Sequence, residues 1–123
     1  MTNILDRHKV LSAAVLKREI VEVPELGGSV HIQELAGGDR DAWVAEHFDT
    51  DGDEPELRSG KARTFRASLV CLTLIDENGR RMFQDAEIER VAKFPSTILD
   101  LLYNASAKLS ALDEESQKAL EKN

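Results

Sequence analysis

The residues with the clearest potential for chemistry are five acids around one glycine in the stretch DTDGDEPE, residues 49–56. Such stretches suggest a calcium-binding loop, in which positions 1, 3 and 5 supply oxygen ligands, position 6 is glycine and position 12 is glutamate. If counting begins at Asp49, position 6 is Glu54 and position 12 is Gly60, which has no side-chain oxygen. We therefore predict no metal site here, and an exposed acidic loop over about residues 49–60.

Other residue types that could act as ligands or catalysts are scattered along the chain. The three histidines, His8, His31 and His47, lack the spacing of a zinc site, and we expect His8 to be partly buried on the apolar face of a helix. The single cysteine, Cys71, lies in the apolar run SLVCLTLI, which indicates a buried hydrophobic residue rather than a nucleophile. No nucleophile and base can be paired, so the sequence predicts no catalytic residue, no cofactor and no enzyme.

Composition limits the class of protein and its partners. The chain has 123 residues, of which 41% are hydrophobic and 32% charged, as expected for one globular domain over residues 1–123. The net charge of −7 disfavours nucleic acid and anionic membrane surfaces as partners. The longest apolar run, residues 69–75, is too short to span a bilayer.

Hydrophobic spacing predicts an α+β fold that is mainly α: an N-terminal helix, one β-hairpin and then a bundle of four or five helices. The first helix is expected at residues 4–16, because apolar residues recur there at helical intervals. The segments REIVEV and VHIQEL, joined by PELGGS, predict the hairpin at about residues 18–35. The side chains expected to face each other across it are Val21, Val23, Val30 and Ile32.

The remaining helices are expected from their cap residues and apolar stripes. Asp39 is predicted to cap a short helix, and residues 61–76 to form one continuous central helix that ends in a turn with Gly79 in a left-handed conformation. A buried strand is the alternative for residues 68–75, but the preceding stretch KARTFRAS favours the helix. Another short helix is predicted before Pro95, and Pro95 is expected to begin a long helix. A highly charged final helix is predicted at about residues 113–121, where we expect fraying.

Four apolar side chains are candidates for a binding surface: Trp43, Val44, Phe48 and Tyr103. The first three lie on or next to a short helix beside the acidic loop, and Tyr103 lies off the main apolar stripe of its helix. They could complete the core, or they could form a groove for a partner helix or a neighbouring subunit. The sequence leaves both interpretations open.

The order of several motifs resembles one protein family. The motifs are V-x-V-P-E-x-G-G-x-V at residues 21–30, an L-D/E-x-x-D/R-D-like stretch at 35–41, A-x-L-V-x-x-x-L-x-D-E-x-G-x-R-x-F at 67–83 and S-x-x-x-L-x-x-L-like spacing from 96 to 102. In this order, over about residues 18–112, they resemble the tail assembly chaperones of long-tailed phages and prophages. No single motif is chemically unique, so the resemblance depends on the whole ordered string.

This resemblance implies a non-enzymatic protein of the bacterial host cytoplasm that leaves before the virion is complete. Its expected partners are the tape-measure protein, which it keeps soluble, and the tail-tube protein, which it helps to recruit. We expect Trp43, Val44, Phe48 and Tyr103 to contact a partner, and the open edges of the hairpin to permit self-association. The alternative function is a head–tail connector or another structural component that stays in the virion.

The resemblance also implies that some ribosomes slip back by one base near the end of the gene and add a second domain. The chain ends LEKN, and residues 121–123 could be encoded as GAA AAA AAC, which contains a slippery run of adenines. We therefore expect a longer frameshifted form, through which the tail-tube protein could be recruited.

Overall fold

The computed structural model describes residues 2–112 and has the expected α+β, mainly α architecture. The predicted final helix at residues 113–121 lies outside the described residues. In chain order the elements are α1 Arg7–Ala13, β1 Arg18–Val23, β2 Gly28–Gln33, α2 Gly37–His47, β3 Phe48–Asp49, β4 Glu56–Leu57, α3 Phe65–Thr73, β5 Leu74–Ile75, α4 Ile88–Ala92 and α5 Ser96–Leu109. Short 3₁₀ turns lie at Pro24–Leu26 and Asp85–Glu87.

The predicted hairpin is formed by β1 and β2, which pair antiparallel. Val21 lies opposite Val30, whereas Val23 lies opposite Gly28 and packs on the same face as Ile32. Both Val23 and Ile32 are completely buried against the helices. The helices of the same chain thus cover the apolar face of the hairpin. This cover is needed because a two-stranded sheet alone is only marginally stable in water.

The prediction of one continuous helix over residues 61–76 is wrong. Helix α3 ends at Thr73, and Leu74 and Ile75 form β5, which pairs antiparallel with β2 and completes a three-stranded sheet in the order β1-β2-β5. The free edge of β2 supplies backbone hydrogen-bonding partners there, and the pairing places Leu74 opposite Ile32. This long-range pairing overrides the helical pattern of the local sequence.

The main core lies between the hairpin and helices α3, α4 and α5. Helix α3 is its centre, because six of its nine residues are buried. Neighbouring α5 contributes an apolar stripe that packs on both α3 and the hairpin. The buried members of this core are Val23, Ile32, Ala67, Val70, Cys71, Leu74, Val91, Ile98, Leu99 and Leu102.

The predictions for the turn and cap residues agree with the structure in part. Gly79 has a φ of 81° in the turn after β5, which confirms its predicted left-handed conformation. Pro95 was predicted to be the first residue of the long helix, but α5 begins one residue later, at Ser96, with Pro95 as its N-cap. The prediction that Asp39 caps α2 is wrong, since α2 begins at Gly37 with Ala36 as the N-cap, and Asp39 lies in the first turn instead. There its negative charge is still favourable beside the positive end of the helix dipole.

Helix α1 is shorter and more exposed than the sequence indicates. It spans seven residues instead of residues 4–16, and its N-cap is Asp6, whose Oδ1 accepts a 2.8 Å hydrogen bond from the backbone N–H of Lys9. Each of residues 2–20 is exposed. The expectation that His8 is partly buried is therefore wrong, because the helix that carries it is not packed on the core.

Candidate functional site

The four apolar residues proposed from the sequence lie around one open groove of about 430 Å³. Trp43 and Val44 come from α2, Phe48 from the start of β3, and Tyr103 from the middle of α5. The groove therefore joins parts of the chain that are far apart in sequence. Its other lining residues are Arg40, Asp41, Ala45, Thr50, Pro55 and Leu112.

A chain of aromatic rings runs beside this groove and fixes its shape. The ring centroids of Trp43 and Phe48 are 5.7 Å apart, those of Phe48 and Phe65 are 6.1 Å apart, and those of Phe65 and Tyr103 are 5.5 Å apart. The last two pairs meet edge to face, an arrangement that aromatic quadrupoles favour. These contacts connect α2 to α3 and α5, so the groove has a preformed aromatic wall.

The four predicted residues differ in burial. Trp43 is 3% exposed and forms a second core cluster with Leu69 and Ala107, while the other three are half-buried at the edge of this cluster. Trp43 therefore belongs both to the core and to the groove wall. The two interpretations that the sequence left open are compatible in this structure.

Trp43 is held by packing more than by polar contacts. Its indole Nε1 is buried and has no hydrogen-bond partner among residues 2–112. The backbone carbonyl of Trp43 accepts a 2.8 Å hydrogen bond from Nδ1 of His47, one helical turn later, and the two rings lie 5.0 Å apart. This contact orients the buried His47 ring beneath the groove.

The acidic loop forms one margin of the groove and has more structure than predicted. Strands β3 and β4 pair within it, with Asp49 opposite Glu56, and Asp49 Oδ1 accepts a 3.0 Å hydrogen bond from the backbone N–H of Asp51. Between the two strands the chain is exposed. In residues 2–112 no three His, Cys, Asp or Glu side chains are grouped so that they could hold a metal ion.

Charge beside the aromatic wall comes from Arg66. Its guanidinium carbon lies 4.5 Å from the centroid of the Phe65 ring and 5.7 Å from that of Tyr103, and its Nε lies 3.6 Å from Asp100 Oδ1. Burial raises the pKa of Tyr103, although the Arg66 charge acts in the opposite direction. The tyrosine hydroxyl is consequently protonated and neutral at physiological pH.

The cysteine lies away from this groove. Cys71 is completely buried in the main core, as predicted. Burial raises the pKa of its thiol from 9.0 to about 11, with a smaller opposing effect from Arg81. A thiol with this pKa is protonated at physiological pH and is a poor nucleophile.

Sequence reasoning missed several residues that shape the groove, above all Phe65, Arg40 and Leu112. Phe65 falls within the central helix predicted at residues 61–76, and the sequence pattern gives no sign that its ring contacts both Phe48 and Tyr103. Arg40 and Leu112 carry no local signal of a shared surface. Only the packing of α2 against α5 brings them together.

The fold and the groove define a class of protein: a small, mainly helical α+β domain with a preformed aromatic groove. The family model for the phage tail assembly chaperone matches residues 7–122. The chain therefore belongs to the phage tail assembly chaperone family. No curated protein matches it significantly.

A solved structure shows the same fold. The tail assembly chaperone of bacteriophage HK97 superimposes with a TM-score of 0.53 and 21% sequence identity, over 83% of this chain and 91% of that one. At this identity the likeness concerns the fold alone. Within residues 2–112, no helix combines the length and the apolar character that crossing a membrane requires.

Proposed function

We propose that this protein is a non-enzymatic chaperone whose aromatic groove binds helical segments of the tape-measure protein and keeps that protein soluble. The observation that carries the proposal is the convergence of Trp43, Val44, Phe48 and Tyr103 on one groove in a member of the tail assembly chaperone family. Amphipathic helices commonly bind to apolar grooves through side chains spaced by one helical turn. A groove of this size accepts a few such side chains rather than a whole helix.

The charge of the molecule suits this role. A net charge of −7 would keep a complex with a long apolar client in solution by repulsion between complexes. Several chaperone copies along one client would also raise the overall affinity, because each bound segment increases the local concentration for the next. Individual contacts can therefore remain weak and reversible.

Recruitment of tail-tube subunits is a further part of the proposal. We expect a longer, frameshifted form with the same N-terminus to provide the second binding domain. Expression of the native gene with its downstream DNA and an N-terminal tag, followed by intact mass measurement, tests this. A minor longer product supports the proposal, and a single product of unextended mass contradicts it.

The protein is proposed to act in the bacterial host cytoplasm and to be absent from the finished virion. Quantitative mass spectrometry of purified virions distinguishes this from the alternative function as a head–tail connector. A chaperone should be depleted in virions relative to the infected-cell lysate. A stoichiometric amount in virions would favour the connector.

The groove is tested by co-expression with the tape-measure protein of the same phage or prophage. Val44→Glu places a charge in the half-buried groove edge and should abolish the soluble fraction of the client. The matched control is Leu101→Glu, which makes the same kind of change at a leucine 37% exposed on α5 that does not line the groove. Both variants should first be shown to melt cooperatively.

Two outcomes would contradict the groove as the client site. In the first, folded Val44→Glu keeps the client as soluble as the unmodified protein does. In the second, the Leu101→Glu control loses the client to the same extent. The second outcome would indicate a general effect of surface charge instead of a specific groove.

A further inference from the structure

The acidic loop is joined directly to the wall of the aromatic groove. Thr50 and Pro55 both line the groove, and the four residues between them are DGDE, residues 51–54. Each of these four residues is exposed. Three carboxylates therefore lie in solvent between two residues of the groove wall.

The carboxylates of this loop have no counter-charge. Residues 49–56 include five acids and no base, and within residues 2–112 none of the five takes part in a salt bridge. Asp49 and Glu56 also lie directly opposite each other where β3 pairs with β4. Like charges at opposed positions of an antiparallel pair repel and destabilise it. A cation bound beside the loop would reduce this repulsion.

Cations on the elements next to the loop have other partners. Arg40, in the groove wall, lies with its Nη2 3.6 Å from Oδ1 of Asp41. Arg58, the first cation after the loop, donates from Nε to the backbone carbonyl of Ala45 at 3.0 Å, in the last turn of α2. The groove is therefore apolar along α2 and negatively charged beyond the end of that helix.

We propose that the groove selects amphipathic helices that carry a lysine or arginine about one or two turns beyond their apolar stripe, and that the acids of residues 51–54 bind this cation. Apolar side chains enter between Val44 and Tyr103, and the following turns of the bound helix pass the loop. The inference rests on the proposed function, since the selected helix is a segment of the tape-measure protein. Exposed charge pairs add little affinity, but they discriminate between basic and acidic helices.

Three synthetic, tryptophan-free helical peptides test the selection. They share one apolar stripe and carry lysine, glutamine or glutamate at the same two positions beyond it. Trp43 is the single tryptophan of the chain and lines the groove, so its fluorescence reports binding. At about 0.1 M NaCl the lysine peptide should bind roughly tenfold more tightly than the glutamate peptide, with the glutamine peptide between them. At about 1 M NaCl this difference should largely disappear, because exposed charges are then screened.

A loop variant assigns the preference to the acids beside the groove. The triple substitution Asp51→Asn, Asp53→Asn and Glu54→Gln keeps side-chain size and removes three exposed charges. Because the apolar groove is unchanged, this variant should still bind the peptides. It should bind the lysine and glutamate peptides with the same dissociation constant.

The matched control removes the same number of charges from the hairpin. Glu19→Gln, Glu22→Gln and Glu25→Gln change exposed residues that do not line the groove. Its net charge equals that of the loop variant, and its preference for the lysine peptide should stay roughly tenfold. If the control loses the preference as the loop variant does, net charge makes the selection and the inference is overturned.

Two further results would overturn the inference: equal binding of the lysine and glutamate peptides by the unmodified chain, or a preference that survives in the loop variant. In either case the proposed function stands if Val44→Glu still loses the tape-measure protein from the soluble fraction. If the loop sets the peptide preference but Val44→Glu leaves the tape-measure protein soluble, the selection of basic helices stands and the client site is wrong.

Discussion

Two small hydroxyl residues place a polar contact inside the apolar interface between α3 and α5. Thr73 and Ser106 are completely buried, and their hydroxyl oxygens lie 2.7 Å apart. Thr73 Oγ1 also donates to the carbonyl of Leu69 at 3.0 Å, so the proton between the hydroxyls comes from Ser106. This pair fixes the position of α5 against α3 and hence the position of Tyr103 at the groove.

We expect Thr73→Val to destabilise the protein by roughly 1–3 kcal/mol, because it leaves the buried Ser106 hydroxyl without its acceptor. Adding Ser106→Ala should recover part of this loss, since both polar groups are then gone. Urea denaturation of the two single variants and the double variant measures the coupling. Strictly additive changes in the free energy of unfolding would show that the two hydroxyls do not interact.

Cys71 provides a prediction about pH. The pKa of its thiol is about 11 in the folded protein and 9.0 in its ordinary state, so above pH 9 the unfolded chain loses this proton first. The free energy of unfolding should therefore fall from about pH 9 to pH 11, by at most about 1.4 kcal/mol per pH unit. Below pH 9 the thiol should have no effect.

Cys71→Ala is the variant that isolates this contribution. Its stability should fall less steeply between pH 9 and pH 11 than that of the unmodified chain, whatever its starting stability. Tyr103, whose pKa is also raised, should leave a residual decline in both proteins. Parallel stability curves for the two proteins would contradict the assignment, as would rapid reaction of the native thiol with a disulfide reagent at pH 8.

At the scale of elements, the turn after β5 depends on one backbone conformation. Gly79 has a φ of 81°, and an added Cβ would lie 2.5 Å from Nη2 of Arg18. Gly79→Ala should destabilise the protein by roughly 1–2 kcal/mol, because alanine is strained in this conformation. Gly38→Ala is the control, since Gly38 lies in α2 with open space around its Cα. Thermal denaturation should show a loss for the first variant and little change or a gain for the second.

The difference between local and long-range contacts explains which elements the sequence could predict. A turn such as DENG is local, so its left-handed glycine follows from four residues. The end of α3 is not local: residues 74 and 75 continue the helical pattern but pair with β2, more than forty residues earlier in the chain. Likewise, the apolar stripe of α1 predicts burial correctly only if another element covers it, and none of the residues of α1 is buried.

At the scale of the molecule, the sequence predicted the class of fold and left open whether Trp43, Val44, Phe48 and Tyr103 complete the core or form a groove. Trp43, Val44 and Phe48 are notable in the sequence as apolar residues on or next to a short helix beside the acidic loop, and Tyr103 as a residue off the main apolar stripe of its helix. Their shared position depends on how α2 packs against α5, and Phe65 joins them through ring contacts that no sequence interval encodes. The acidic margin was visible in the sequence, although its place beside the groove was not.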